Sequence, residues 1–321
     1  MAATNLPVHP NQPPRLMPRQ DLQIREDVLY ADAKGNENAR IRERAEQALD
    51  SIVSVLRKFL LSGEVIFYVS RGSLMPDLFE QFTSGIWSHL QPGALLVFTN
   101  RRLLNLRLKS KGFRSWEWDG GVEAMFWGDV DRTKVASGLS PYVELRDRKG
   151  HKERFWRLRR ADVKKIRMLL AAFLPASAGE TTPDQSFTSY CPSCCAALTP
   201  GVYRCAGCGM EFKDEKTLVW RGILIPGGAD FYARRTVRGV LIFLLESALL
   251  FTFLFWLLIF VGAVSPPTPD PGQTAQARAD FLAPLIFLAV IIALEKSMAI
   301  RIGLRMIRRF LPLRKPEVPA I

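Results

Sequence analysis

"GALLVFTNRRLLNLRLK", residues 93–109, places two runs of branched apolar residues on either side of one polar step. Runs this short, and this rich in Val, Leu and Phe, read as strands. The same composition recurs on both sides: "EVIFYVS" (64–70), "FRSWEWD" (113–119), "YVELRD" (142–147) and "ERFWRL" (153–158), several of them alternating. Turn chemistry such as "RDRKGHK" (146–152) lies between some of them, so residues 64–158 read as β. A helix follows, in which Val163, Ile166, Leu170 and Phe173 form one apolar stripe and Asp162 lies in the first turn, where the helix dipole favours a negative charge.

Antiparallel strands closed by one C-terminal helix are the outline of a pleckstrin-homology-like (PH-like) barrel. Here the chain resembles a family, the bacterial PH-like domains. In that family a strand ends in a Thr-Asn/Asp-Arg-Arg turn and the next begins at once with Leu, as in "FTNRRLL" (98–104). The later "VEAMFWGDVDRTKV" (122–135) is similar to the family's aromatic-x-Asp-hydrophobic element. The resemblance covers roughly residues 62–174 and implies a PH-like domain over 63–174. The insert "GSLMPDLFEQFTSGIWSHLQP" (72–92) departs from the pattern, is expected to hold a short helix, and leaves the strand count open. PH-like barrels bind lipid in some families and peptides in others, so the resemblance implies a binding role without naming the ligand.

The chain has 321 residues, 48% hydrophobic and 23% charged, a balance expected of a soluble part joined to a membranous one. Its net charge of +13 favours a polyanion, either anionic lipid or nucleic acid. Residues 1–35 are rich in Pro, Asn and Gln and read as a disordered lead. Residues 36–62 read as one amphipathic helix, with Ile41, Ala45, Leu49, Ile52, Leu56 and Phe59 on one face. That face either packs on the next domain or pairs in a coiled coil. Residues 175–189 are a Pro/Ala/Ser/Thr-rich linker.

All five cysteines fall between Cys191 and Cys208, within a module spanning 190–213. Cys191-x2-Cys194 and Cys205-x2-Cys208 have the spacing of a zinc ribbon: two tight turns, each carrying two thiolates, complete a tetrahedron around one Zn2+. "CPSC…CAGCGMEF" also looks like the ribbons attached to bacterial membrane proteins. Gly207 and Gly209 suit the sharp backbone there. Cys195 could stand in for Cys194, although a two-residue gap from Cys191 favours Cys194. Four thiolates leave no open position for water, so the zinc is expected to be structural. A redox dithiol is the other reading of CPSC, but thioredoxin-type chemistry wants a strand before it and a long helix after it.

After a juxtamembrane segment (214–238), residues 239–264 carry a single charge, Glu246, and exceed the roughly 20 residues needed to cross about 30 Å of hydrocarbon. Residues 281–300 form a second apolar segment, joined to the first by the connector 265–280; it spans if Glu295 and Lys296 lie near an interface. At 1.5 Å per residue, Glu246 lies roughly 10 Å inside the first span and Lys296 roughly 8 Å inside the second. Antiparallel helices would bring the two together as an ion pair; otherwise Lys296 snorkels to the head groups. Arg234, Arg235 and Arg238 before the hairpin, and Arg301, Arg305, Arg308 and Arg309 after it, are expected at the membrane surface. This charge bias puts both termini in the cytosol of a bacterial inner membrane, with 301–321 as a basic amphipathic tail on the inner leaflet.

No Walker loop, dinucleotide glycine set, G-x-S-x-G elbow or H-E-x-x-H motif is present, and the three histidines stand apart from any nucleophile in sequence. The expectation is a non-enzymatic, multidomain α+β membrane protein: PH-like antiparallel β-barrel with a C-terminal helix, small four-cysteine zinc ribbon and two-span transmembrane helical hairpin. Its partners are the lipid bilayer, a protein and anionic lipid. Lys152, Arg154, Trp156, Arg157, Arg159 and Arg160 are the candidate ligand-binding residues beside the β-domain. The rival reading is a membrane-tethered nucleic-acid binder with Tyr203, Arg204 and Lys213 on one basic face.

Overall fold

The computed structural model of the chain describes residues 16–19, 22–75, 93–110, 116–176, 187–261, 263 and 274–314. It divides into two compact units, one holding the β-domain and the cysteine module through Phe212 together with the chain from Pro312, the other running from Lys213 to Leu311. The insert expected to hold a short helix lies, from residue 76 on, outside the described residues.

The first unit opens with β1 (Leu16–Arg19), β2 (Leu22–Arg25) and α1 (Glu26–Leu29), then α2 (Ala39–Asp50) and α3 (Val53–Phe59). The sheet that follows has two antiparallel runs. β3 (Val65–Leu74), β4 (Gly93–Thr99), β5 (Arg102–Ser110) and β6 (Trp116–Phe126) pair in succession. So do β7 (Val130–Ala136), β8 (Tyr142–Asp147) and β9 (Lys152–Trp156). β3 joins the two runs: its body pairs with β4, and its last two residues, Ser73 and Leu74, pair with Trp156 and Phe155 of β9. Every residue of β4 is buried, as a continuous apolar run in mid-sheet requires.

Helix α4 (Arg160–Ala176) packs its Val163, Ile166, Leu170 and Phe173 stripe into the core. There Phe173 meets Phe67 edge-on at 5.1 Å and stacks on Trp127 at 5.4 Å, the kind of aromatic geometry that adds to the area it buries.

Two expectations for the start of the chain are corrected. Residues 22–31 are not a disordered lead: β2 adds in parallel to β3, and Leu22, Ile24, Val28, Leu29 and Tyr30 are buried in the core. The amphipathic segment 36–62 is two helices, interrupted at Ser51 and Ile52, and its apolar face is taken up by the same core rather than by a coiled-coil partner. Lys165 of α4 fixes the opening segment, donating to the carbonyl oxygens of Val28 and Ala31 while lying 4.4 Å from the centre of the Tyr68 ring.

The Thr-Asn-Arg-Arg step is the best-connected point of the unit. Glu64 and Arg102 form a fully buried ion pair at 3.0 Å. Glu64 also accepts from the Thr99 hydroxyl at 2.7 Å and from the Leu61 N–H at 2.7 Å. Arg102 reaches back to the Phe59 carbonyl at the end of α3, and the Asn100 side chain accepts from Val65 N–H at 2.9 Å. Trp127 donates its indole N–H to the Thr99 carbonyl at 2.9 Å. One turn thus joins α3, β3, β4, β5 and the aromatic core.

The second unit contains α5 (Glu215–Leu224), α6 (Gly228–Tyr232), α7 (Thr236–Phe260) and α8 (Thr274–Ile307). The segment 214–238, read as a plain juxtamembrane stretch, therefore folds into two helices and the first residues of a third. Asp214 caps α5, accepting from Thr217 N–H at 2.7 Å; that hydrogen bond, working against the cost of burial, holds its carboxyl below the usual carboxylate range. Helices α7 and α8 each contain a stretch long and apolar enough to cross a membrane, 236–260 and 282–307, and only 11% of the most apolar 18-residue window in each is buried. The second expected segment, 281–300, thus lies within a longer helix.

Removing one partner of the Glu64–Arg102 pair strands a buried charge. Glu64→Ala is expected to cost about 3–5 kcal/mol, read as a fall in the thermal midpoint of the purified chain. The Glu64→Leu/Arg102→Leu double variant is expected to lose less than either single alanine variant.

Candidate metal centre

The cysteine module is attached to the sheet by β10 (Thr188–Tyr190), which pairs antiparallel with β6 through Thr188↔Ala124 and Tyr190↔Val122. Two turns of the same hydrogen-bond pattern follow. In the first, Cys191 N–H donates to Ala196 O at 2.9 Å and Cys195 N–H to Cys191 O at 2.9 Å. In the second, Cys205 N–H donates to Met210 O at 2.8 Å and Gly209 N–H to Cys205 O at 2.9 Å. The residue after each second cysteine is left-handed, Cys195 at φ 60° and Gly209 at φ 74°.

This equivalence settles the place of Cys195. It occupies the position that Gly209 fills in the other turn, and its Sγ points away to the Lys58 carbonyl at 3.3 Å. The other four thiols converge. Cys191 and Cys208 sulfurs are 3.6 Å apart, Cys194 and Cys205 sulfurs 3.5 Å, and all four lie within 4.8 Å of one another. A tetrahedral M–S distance of about 2.3 Å gives sulfur–sulfur edges of about 3.8 Å, so the set could hold one metal ion. At Gly207 a Cβ would come within 3.3 Å of Cys194 Sγ, a tight approach that glycine avoids.

The electrostatics are uneven. The Met210 N–H directed at Cys208 brings its thiol down to about 7, while burial pushes the Cys191 thiol up. Both turns aim backbone N–H groups at sulfur, an arrangement that favours the thiolate a metal requires. Comparison with protein-family models, curated proteins and solved structures finds no match, so the chemistry of the site rests on its own geometry.

The remaining residues singled out in the sequence do not form one site. Lys152 and Arg154 both pair with Glu144 across β8 and β9. Trp156 faces Tyr142 across the same strands, with Arg157, left-handed at φ 57°, 4.9 Å from its ring centre. Arg160 is exposed at the start of α4, and Arg159 lines a cleft with Arg44 and Arg71. Of the six expected ligand-binding residues Arg159 alone lines that cleft, and strand pairing commits Lys152 and Arg154 to an acidic neighbour.

The membrane-surface assignment also needs correction. Arg235 and Arg238 are buried, both directed at Asp230, at 3.5 and 3.4 Å, in place of a lipid-facing surface. Arg234 is half-buried and left-handed at φ 59°. Arg301, Arg305 and Arg308 are exposed and Arg309 half-buried, but Arg308 pairs with Glu215 at 3.1 Å. Within the described part of the tail, 301–314, α8 continues to Ile307, and Ile302, Met306, Ile307, Phe310 and Leu311 are buried within the helical unit. Helix α5 covers part of that face, Leu218 against Gly303 and Gly222 against Ile300, at positions where a Cβ would clash.

Glu246 and Lys296 are brought together at 2.8 Å, with Glu246 Oε2 also accepting from Gly227 N–H at 2.9 Å and Lys296 donating to Gly222 O at 3.0 Å. The carbonyl and the amide were invisible to a sequence argument, because both belong to helix ends that only the fold defines. The pattern of G-G-A-D around 227–230 was the available signal.

Elemental analysis of the purified chain is expected to give one metal ion, retained in Cys195→Gly and lost in Cys205→Ser and Cys194→Ser. Acidification is expected to release it, since protons compete for the thiolates. Lys296→Met, which strands the Glu246 charge, is expected to lower the thermal midpoint in detergent more than Glu246→Gln/Lys296→Met does.

Proposed function

We propose that this chain is a non-catalytic binding protein of a bacterial inner membrane, in which a PH-like domain and a structural zinc ribbon act on the cytosolic side as a scaffold for a protein partner. The observation that carries the proposal is the pair of exposed apolar helices in the same chain as a folded domain and a closed four-thiolate set.

Phe251 at 73% and Phe287 at 65% exposure typify surfaces that water would drive to aggregate and hydrocarbon would solvate. The Lys213 N–H hydrogen-bonds Leu311 O, so the helical unit begins and ends at one place, as a hairpin anchor would. Support for the PH-like reading is the four-strand run β3–β6, the three-strand run β7–β9 and the helix α4 that follows them. Support for zinc is the ligand chemistry: a set of four cysteine sulfurs suits a tetrahedral ion that needs no open position. Among the candidate roles, scaffolding fits such a closed centre better than catalysis. The nucleic-acid reading loses one of its three residues, because Lys213 is buried and donates to the Tyr232 carbonyl.

The test is photo-crosslinking in intact cells from a probe replacing Lys134 on β7, followed by alkaline washing of the membranes. The expected result is a chain that stays with the washed membrane and gives a discrete protein adduct insensitive to nuclease. Release by alkali, or an adduct lost on nuclease treatment, contradicts the proposal.

A further inference from the structure

A cleft of about 190 Å³ lies where α2 crosses β3 and the start of α4. Three guanidinium groups line it, Arg44 from α2, Arg71 from β3 and Arg159 just before α4, and each of these residues is exposed to solvent. Arg71 and Arg159 are close enough to repel: burial, and then the charge of Arg159, pull the Arg71 guanidinium below its usual value. A concavity in which cations outnumber anions attracts an anion.

The two acids in the cleft offset part of this charge without pairing with the arginines, and three guanidinium groups against two carboxylates leave the cleft positive. Asp162 accepts from the Ser70 hydroxyl at 3.0 Å, and its charge and hydrogen bond help to hold the buried Tyr68 hydroxyl well above its normal range. Asp32 accepts from Lys34 N–H at 2.7 Å and Asn36 N–H at 3.0 Å, closing its own loop. Lys165 at the base is committed to the carbonyls of Val28 and Ala31. The arginines are thus the donors left facing the opening. Beside them Ile41, Ala45 and Ala48 supply an apolar wall for a small organic group.

We propose that this cleft binds a phosphomonoester, its dianion held by the forks of Arg71 and Arg159 with Arg44 closing over it. Guanidinium forks match phosphate oxygens two at a time, and a dianion neutralises the charges that otherwise repel. The site takes one wall from α2, outside the sheet, and it stands whether or not the chain is membrane-anchored. The same chemistry is offered by a soluble phosphate ester and by a phosphatidic acid head group at a bilayer surface.

The full chain, purified in a zwitterionic detergent, is titrated calorimetrically with glycerol 3-phosphate. In a second arm the chain is held in nanodiscs of zwitterionic lipid with or without phosphatidic acid, and the thermal midpoint of the β-domain is followed. Saturable binding in either arm is expected, weakened about tenfold or more by Arg71→Gln or Arg159→Gln, the loss of one charge-assisted fork. Lys164→Gln, which removes an exposed charge of α4 outside the cleft lining, is expected to leave it within about twofold. Saturation by the soluble ester assigns a free ligand; saturation confined to phosphatidic acid assigns a head group. Absence of saturation in both arms, or equal weakening by the Lys164→Gln control, overturns the proposal. Thermal midpoints of the ligand-free variants show that loss of binding is not loss of fold.

Discussion

The buried Glu64–Arg102 pair is the constraint on which the β-domain depends. A carboxylate and a guanidinium taken from water at that depth survive only if their remaining hydrogen-bonding capacity is met, and here it is met by Thr99, Leu61 and Phe59. Phe59 and Leu61 lie at the exit of α3, Glu64 just before β3 and Thr99 at the end of β4, so satisfying two charges also fixes the exit of α3, the start of β3 and the β4–β5 turn. Trp127, hydrogen-bonded to Thr99 and stacked between Phe98 and Phe173, passes the same constraint into the aromatic core and on to α4. A turn that looks like surface punctuation in sequence is therefore the best-fastened point of the domain.

The cysteine module obeys a similar logic by different means. Its hydrophobic core is too small to fold it, so its shape rests on two repeated turns and whatever ion draws the four sulfurs together. Where those turns differ, chemistry explains the difference: Gly209 takes a left-handed conformation readily, while Cys195 takes it under strain and puts its thiol on the β-domain. In the helical unit, burial again decides which charges count. Arg238, Arg235 and Asp230 form one buried group and Glu246 with Lys296 another, each close to a bend in the chain.

Periodicity and spacing made strands β3 to β6, β8 and β9, helix α4, the four sulfur ligands and the apolar helices legible, because each is a local pattern; β7, a mostly polar strand with no buried residue, carries no such pattern. The 22–31 segment was hidden by its Pro-, Asn- and Gln-rich surroundings, although Leu22, Ile24, Val28 and Leu29 fill the core beside β3. Basic residues were the least legible of all. An arginine reads the same in sequence whether it faces lipid, as Arg301 does in the hairpin account, or is sealed against an aspartate as Arg238 is. The arginine-lined cleft could not have been read at all, since Arg44, Arg71 and Arg159 meet only through long-range packing of α2 against β3 and the start of α4.

The account turns on the two apolar helices crossing a bilayer as a hairpin, with the β-domain and both termini on the cytosolic side. The most direct measurement is a pair of reporter fusions in a bacterial host. Alkaline phosphatase, active only outside the cytosol, is fused after Pro271 in the connector, and a green fluorescent protein, fluorescent only inside, after Ile321. Active phosphatase together with a fluorescent C-terminus is the result this architecture predicts. An inactive connector fusion, with the chain recovered in the soluble fraction, would contradict it.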